Sequence, residues 1–211
     1  LTSCGGEKPA PAGGETAAAV EKKIDKYQSG KTQEEYEFDA KRQLRHGKSV
    51  FYYEDGKVMS EQTYKDGKRE GLQKKFYPDG KLEAEIQFKN DLMEGAFVYY
   101  HPDGKKKQEG THKNNGVDGQ LRTYYASGTL KEMVTMVDGF ENGAFEEYYD
   151  TTGTIKAKGT YVYLAEDDRA AEQGLLEEFS ATGEVIAKKE CDKGTCRTVW
   201  TKEKGDIKPK K

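Results

Sequence analysis

Apolar residues are scarce in this chain of 211 residues: hydrophobic side chains make up 34% and charged side chains 35%. That composition suits a thin, well-solvated sheet better than a thick two-layer core. No apolar run approaches the roughly 18 residues that a membrane helix needs. Only one Trp is present, but there are 14 Tyr and 8 Phe. Because disordered chains are usually depleted in aromatic residues, this composition indicates a folded protein.

An excess of charge of one sign is also missing. The net charge is −3, with both signs interleaved along the chain, whereas a basic domain is the usual footprint of nucleic-acid binding. The chain also lacks a nucleophile–base pair, a phosphate-binding loop and the Asp-x-Asp-x-Asp-Gly spacing of an EF-hand. We therefore expect no nucleic-acid partner, no catalytic residue, no cofactor and no metal ion.

What the chain does contain is a repeat. Glycines at 47, 71, 95, 119 and 143 are each 24 residues apart, and a further unit begins at Gly174. We number each unit from its first glycine, which is position zero. Position five is aromatic in every unit: Tyr52, Phe76, Tyr100, Tyr124, Tyr148 and Phe179. Six matched units indicate a repeat architecture.

Each unit has the pattern of a β-hairpin. The loop of the Gly71 unit is Pro78-Asp79-Gly80, which is typical of a three-residue loop that closes in a glycine bulge. In that register position five pairs with position eleven, and the odd positions of the second strand are mostly apolar. The Gly71 unit should then present Tyr77 on one face and bury a row of side chains on the other. The predicted buried row is Phe76, Leu82, Ala84, Ile86 and Phe88.

The predicted fold class is all-β: an extended antiparallel β-meander of about six 24-residue hairpin repeats in one twisted sheet. We expect a flexible tether at residues 1–31, the hairpin array at 32–200 and a disordered basic tail at 201–211. Within the tether, the apolar spacing of residues 15–27 fits either a short helix or an alanine-rich linker.

The repeat resembles the bacterial variant of the MORN repeat. FYPDGKLEAEIQFKND and YYEDGKVMSEQTYKDG carry its aromatic pair, polar-Gly turn, lysine-rich strand ending in an aromatic residue, and second polar turn. The resemblance covers about residues 47–194. It implies a scaffold or interaction module, similar in some members to antitoxins or immunity partners, and it implies no active site.

The first residues, Leu1-Thr2-Ser3-Cys4-Gly5, resemble the end of a bacterial lipoprotein signal, whose cysteine becomes lipidated. A Gly/Pro/Ala-rich segment follows, which suits a tether between a surface and a folded body. This interpretation puts a lipid on Cys4 and the protein on the bacterial cell envelope, at the outer membrane and facing the periplasm or the surface. The alternative is an incidental cysteine.

Some residues depart from the repeat. His101 and His112 replace aromatic residues on opposite faces, which favours substitutes for tyrosine over a shared metal site. An insertion at residues 161–174 contains the acidic run Glu166-Asp167-Asp168, which is either a contact loop or a solvated helical turn.

Near the C-terminal end, Cys191 and Cys196 flank a turn. We expect a disulfide between them that staples the exposed end of the array. Two cysteines without histidines make a poor zinc site. The only tryptophan, Trp200, should lie in a final capping strand.

Two hypotheses for function follow. In the first, a lipid-anchored, non-catalytic scaffold binds an unidentified protein through a sheet rich in Tyr, a residue enriched in interface hot spots. In the second, an exposed tyrosine ladder binds glycans or lipid headgroups. The predicted binding face is Tyr53, Tyr77, His101, Tyr125 and Tyr149. A meander also has free edges, which allow edge-to-edge pairing into a homodimer.

Overall fold

A computed structural model describes residues 20–208. Over that range the protein is all-β, and its strands form one antiparallel sheet in which strands pair with their neighbours along the chain. No helix occurs between residues 20 and 208, so none there is long and apolar enough to cross a membrane. The predicted all-β meander in a single sheet is confirmed.

The sheet contains nineteen strands. They are β1 (Val20–Lys26), β2 (Thr32–Asp39), β3 (Leu44–Tyr52), β4 (Val58–Lys65), β5 (Lys68–Arg69), β6 (Gly71–Phe76), β7 (Leu82–Lys89), β8 (Leu92–Tyr100), β9 (Lys106–Lys113), β10 (Gly116–Val117), β11 (Gly119–Tyr124), β12 (Leu130–Val137), β13 (Phe140–Tyr148), β14 (Ile155–Leu164), β15 (Arg169–Glu172), β16 (Gly174–Phe179), β17 (Val185–Asp192), β18 (Thr195–Thr201) and β19 (Gly205–Asp206).

Six of the seven hairpins share one loop geometry, and the loop of the Gly143 unit is one residue longer. In the Gly71 unit, Tyr77 N donates to Lys81 O and Gly80 N donates to Tyr77 O, both at 2.8 Å. The equivalent bonds recur in the other units except the Gly143 unit, where Tyr149 N donates to Thr154 O and Gly153 N donates to Tyr149 O, both at 2.9 Å. We leave this extra loop residue out of the numbering, so that Ile155 is position eleven and Tyr161 is position 17 of that unit. Position five then pairs with position eleven as predicted. The additional hairpin begins at Glu21 and was not among the six predicted units. Its sequence hides the pattern because Glu21 replaces the first glycine and Lys26 replaces the position-five aromatic residue.

A β-bulge follows the loop in all seven hairpins and decides the face of position five. Lys75 lies opposite Ala84, but the next residue, Phe76, lies opposite position eleven. Because the second strand has one extra residue here, Phe76 points away from Ala84. The prediction that Phe76 shares a buried row with Ala84, Ile86 and Phe88 is therefore wrong for Phe76. Leu82 pairs with Phe76 and is only half-buried, so the prediction is wrong for Leu82 as well. Ala84, Ile86 and Phe88 are buried as predicted.

The bulge also defines the two faces of the sheet. We call inner the face that carries positions 2, 4, 13, 15 and 17 of each unit and the residue two before position zero. The outer face carries positions 3, 5 and 14. Two clusters of buried apolar residues lie on the inner face: Ala84, Ile86, Phe88 and Phe97 in the first, and Val134, Met136 and Phe145 in the second.

Tight turns connect most successive hairpins, as their polar residues predicted. Asn90 and Asp91 both have positive φ, of 51° and 71°, which is the type I′ geometry that matches the twist of the flanking strands. Asn114 and Asn115 adopt the same conformation, with φ of 50° and 73°.

Successive hairpins alternate in type. The Gly47, Gly95 and Gly143 units begin with an unbroken strand (β3, β8 and β13), whereas the units between them begin with a strand that is broken before the glycine (β5 and β6, for example). In the Gly95 unit Phe97 pairs with Gly110, and in the Gly143 unit Phe145 pairs with Gly159. Each phenylalanine belongs to a different apolar cluster. The buried residues of the first cluster belong to the Gly71 and Gly95 units, and those of the second cluster belong to the Gly119 and Gly143 units.

Both ends of the sheet extend beyond the predicted array. β1 pairs with β2, so a helix is wrong for residues 20–26, and the predicted tether to residue 31 overlaps the sheet. The Tyr27-to-Gly30 loop explains this, because it folds β1 back onto the alternating β2. Residues 15–19 lie outside the described range. At the other end β19 pairs with β18, the strand that contains Trp200, so the sheet also enters the predicted tail.

Candidate interaction surface

The predicted binding row joins each hairpin to the next one. Tyr53 and Tyr77 each donate their hydroxyl to the backbone carbonyl of position five in the following unit, at 2.7 Å. Tyr125 and Tyr149 do the same at 3.0 and 2.8 Å. Nε2 of His101 lies 3.4 Å from the equivalent carbonyl.

All five side chains of this row are half-buried, and burial raises the pKa of Tyr53 and Tyr77. The description of the row as an exposed tyrosine ladder is therefore wrong. A hydroxyl that already donates within the sheet must break that bond before it can donate to a glycan. The row links successive hairpins through hydrogen bonds, and its role in binding stays a prediction.

A second aromatic row, position five, lies on the outer face. Tyr100 donates to Glu85 at 3.0 Å, and Tyr124 donates to Glu109 at 2.5 Å. Burial and the neighbouring carboxylate raise the pKa of Tyr124 to about 12. These phenols therefore stay neutral at physiological pH, and their hydroxyls are already engaged.

Near the N-terminal end, the inner face holds an arginine between aromatic rings. Nη2 of Arg45 donates to Oε2 of Glu34 at 2.7 Å, and Nη1 donates to the other carboxylate oxygen. Cζ of Arg45 lies 4.4 Å from the ring centroid of Tyr36 and 5.3 Å from that of Tyr64. Burial disfavours the charged guanidinium, but the bonds to Glu34 outweigh it and raise the pKa of Arg45. Glu34 is only 4% exposed, so this cation site is internally satisfied.

Toward the C-terminal end, the inner face is acidic and open. A groove of about 420 Å³ lies between the Gly143 and Gly174 units. Phe145, Tyr161 and Leu176 line its apolar part. Its charged lining consists of three glutamates and two lysines: Lys156 pairs with Glu147 at 2.9 Å, Lys189 pairs with Glu178 at 2.6 Å, and Glu172 has no such partner among residues 20–208. Residues 118–184 contain fourteen acidic and five basic side chains, a net charge of −9. Such a region favours cationic partners over anionic ones.

Carboxylates crowd one residue of this groove. Tyr161 is half-buried, and burial together with the charges of Glu141, Glu132, Glu172 and Glu147 raises the pKa of Tyr161. Burial, Glu141 and Glu147 also raise the pKa of Glu132. The crowding therefore costs free energy in the folded protein as long as the carboxylates lack a cation.

This acidic cluster was not predicted from the sequence, although a signal was present. The residues two before position zero run from basic to acidic along the array: Arg45, Arg69, Met93, Val117, Glu141 and Glu172. Their place on the inner face becomes apparent only with the strand pairing, in which they lie opposite position 17 of the preceding unit.

The insertion at 161–174 lengthens a hairpin. β14 continues to Leu164 and pairs with β15, leaving a four-residue turn at 165–168. The interpretation as a solvated helical turn is therefore wrong. Asp168 accepts a hydrogen bond from the Tyr163 hydroxyl at 2.6 Å, and Glu166 lies 3.5 Å from Lys193. A contact role for this turn stays a prediction.

The structure joins Cys191 and Cys196, with an S–S distance of 2.08 Å, across directly paired positions of β17 and β18. This is the disulfide expected from the sequence. The predicted lipidation site, Cys4, lies outside the described residues.

The two repeat histidines occupy different environments. His112 lies on the inner face, 7% exposed, with its ring centroid 4.3 Å from that of Phe97. His101 belongs to the predicted binding row described above. Among residues 20–208 no group of three or more His, Cys, Asp or Glu side chains is arranged to hold a metal ion.

Four stretches of the chain match the family described as MORN repeat variant: residues 45–66, 69–90, 93–114 and 117–138. The resemblance to the MORN repeat variant is confirmed over these residues. MORN repeats are generally protein- or membrane-interaction modules, and the family is typically non-enzymatic. No curated protein matches the chain. The Glu21, Gly143 and Gly174 units show the same bulged strand pairing outside the matched residues.

Proposed function

We propose that this protein is a non-catalytic scaffold whose hairpin array binds another protein. The observation that carries the proposal is the open groove on the inner face, with its apolar floor of Phe145, Tyr161 and Leu176. Its volume lies within the range of about 300–1,000 Å³ that is usual for ligand sites. The match to an interaction-type repeat supports the same conclusion.

The rigidity of the array also supports a binding role. Successive hairpins are joined by tight turns and by the hydrogen bonds of the tyrosine row. A surface that is already ordered loses little side-chain and backbone entropy when a partner docks. The array can therefore present a fixed groove.

Site-specific photo-crosslinking in cells tests the proposal. A photoreactive amino acid would replace Ile186, which lines the groove, or Leu72, which lies outside it; both side chains are 39% exposed. We expect a discrete crosslinked protein from position 186 and a weaker or different pattern from position 72. Identical patterns from the two positions, or no crosslinked protein from either, would contradict a protein-binding groove.

The envelope location is part of the proposal. The residues Leu1 to Gly5 support a lipid on Cys4 and a bacterial protein anchored at the outer membrane, with contact to the membrane through the anchor alone. We expect mass spectrometry to find an acylated Cys4 and the Cys4→Ser variant to leave the membrane fraction. A Cys4→Ser variant that stays with membranes like the wild type would refute the anchor. Protease digestion of intact cells then distinguishes a periplasmic from a surface-facing array.

The edges of the sheet bear on self-association. Among residues 20–208 β1 pairs only with β2, so its outer edge faces away from the array. Five of its seven residues are charged, and charged residues commonly protect such edges from pairing. We therefore propose that the edge-to-edge homodimer does not form through β1. Sedimentation equilibrium tests this, and a concentration-dependent dimer would show that the edge is used.

A further inference from the structure

Equivalent positions along the array can be compared directly, because the hairpins share one register. At the N-terminal end, three of them build the site of Arg45: Glu34 at position 13, Arg45 two residues before the next unit, and Tyr64 at position 17 of that unit. The guanidinium is held by the Glu34 carboxylate and lies 5.3 Å from the Tyr64 ring. The chain itself thus shows how a cation fits these positions on the inner face.

Four units further along, the same positions hold Glu132, Glu141 and Tyr161. The carboxylate and the tyrosine are retained, but a glutamate replaces the arginine. Neither Glu132 nor Glu141 forms an ion pair or side-chain hydrogen bond with any residue between 20 and 208. By contrast, the nearby Glu147 pairs with Lys156 at 2.9 Å. This part of the inner face therefore keeps the carboxylate and the aromatic ring of the Arg45 site but has a carboxylate in place of the positively charged side chain.

The groove provides access to this site. Tyr161 lines the groove and is acted on by the charges of Glu132 and Glu141, which lie beside the groove. Glu172, which is also unpaired among residues 20–208, lines the groove itself. The groove adjoins the Phe145 and Tyr161 rings, which stack at a centroid distance of 4.2 Å. A charged group that enters from solvent would meet both an aromatic surface and several carboxylates.

We propose that the groove binds a basic segment of a partner protein, which inserts an arginine side chain between Glu132, Glu141 and Glu172 beside the Tyr161 ring. The inference rests on the proposed protein-binding function and names the chemistry of the partner. Arginine fits better than lysine because its planar guanidinium can bind two carboxylates and pack on an aromatic ring at the same time. The net charge of −9 over residues 118–184 would attract such a segment.

A short peptide provides the test. We would titrate the full chain with a labelled, blocked Ala-Arg-Ala-Arg-Ala peptide and with versions that carry lysine or norleucine in place of arginine. We expect binding in the order arginine, lysine, norleucine, and weaker binding at higher salt. Amide shifts in the NMR spectrum of the labelled chain should centre on residues 132, 141, 161 and 172. Shifts centred elsewhere, or equal binding of the norleucine peptide, would overturn the proposal.

Matched variants separate the cluster from general charge. The Glu132→Gln, Glu141→Gln and Glu172→Gln triple variant should weaken arginine-peptide binding by about ten-fold or more, because it removes the carboxylates that would hold the guanidinium. The control triple variant, Glu54→Gln, Glu83→Gln and Glu203→Gln, removes the same charge elsewhere and should change binding by about two-fold or less. Equal losses in both would leave only non-specific attraction and refute the site.

The outcomes also separate this inference from the proposed function. If position 186 crosslinks a partner but the arginine peptide does not bind, the scaffold stands and the arginine site is wrong. If the peptide binds but position 186 crosslinks no other protein, the protein-binding function is wrong. A crosslink from position 186 to the chain's own basic tail would show that the tail occupies the groove, which would overturn the proposed partner. The glutamine variants should fold, since they remove repulsion between carboxylates, and urea unfolding checks this.

Discussion

Replacing Gly110 with alanine tests whether the apolar clusters are built from complementary large and small residues. A Cβ at Gly110 would lie 3.0 Å from Cε1 and Cζ of Phe97 and 3.3 Å from Cδ1 of Leu121. Contacts this short require the ring to move in a close-packed interior. The backbone of Gly110 does not have a positive φ, so alanine adds no backbone strain at this position.

Two effects of opposite sign determine the change in the free energy of unfolding. Alanine in place of glycine stabilises by about 0.4–1 kcal/mol, because it restricts the unfolded chain. Overpacking a core destabilises by about 1–3 kcal/mol. Phe97 is only 2% exposed and has the His112 ring 4.3 Å away, so it has little room to yield. We therefore expect Gly110→Ala to destabilise the protein by roughly 1 kcal/mol.

Urea unfolding in two backgrounds provides the assay. With Phe97 present, Gly110→Ala should lower the unfolding midpoint. In the Phe97→Leu background the ring is absent, and the same substitution should become neutral or stabilising by about 0.4–1 kcal/mol. Gly159→Ala, whose Cβ would lie 2.9 Å from Cε1 of Phe145, should repeat the result in the second cluster. An equal loss in both Phe97 backgrounds would refute the pairing of ring and glycine.

Three further predictions concern stability. Tyr125→Phe removes the hydrogen bond to the next hairpin and should lower the free energy of unfolding in urea by about 0.5–1.5 kcal/mol. An unchanged free energy would mean that these hydrogen bonds do not stabilise the array. Burial lowers the pKa of His112, so the unfolded chain binds the proton more readily than the folded chain. The free energy of unfolding should therefore decrease as the pH falls from about 6.5 towards the lowered pKa. His112→Phe should abolish this loss, whereas His101→Phe should not. Reduction of the Cys191–Cys196 disulfide should cost about 2 kcal/mol by the loop-closure estimate, and an unchanged melting temperature in reductant would contradict it.

Much of the fold could be predicted because the hairpin is specified locally. The glycine of the loop, the aromatic pair and the polar turn each act over a few residues, so the 24-residue period is visible in the sequence. The Glu21 hairpin was missed because two of its marker positions, Glu21 and Lys26, hold charged residues. The alternation of unit types was missed for a different reason. Its marker, a phenylalanine facing a glycine at Gly110 or Gly159, depends on which strands pair.

Face assignments failed where they depended on a single residue of register. A bulge adds one residue to the second strand. Because the side-chain period of a strand is two, the residues on the loop side of the bulge lie on the opposite face from the one that a regular register predicts. Phe76 therefore moved to the outer face, while Ala84 and Ile86 stayed buried. The prediction that the binding row is exposed was wrong for a different reason. Tyr77 lies at the loop, where its hydroxyl donates to the backbone carbonyl of Tyr100 in the next unit.

The acidic groove shows why the candidate site is harder to read than the fold. Repeats make every unit look equivalent in its glycines and aromatic residues, so functional residues must lie where the units differ. On the inner face they differ most in charge, since the residue two before position zero is Arg45 at one end of the array and Glu172 at the other. At the first end the arginine is neutralised by Glu34 within the sheet. At the other end the like charges surround Tyr161, an arrangement that raises the free energy of the folded chain and that a bound cation would lower. This difference between equivalent positions is the physical basis for placing the partner's arginine there.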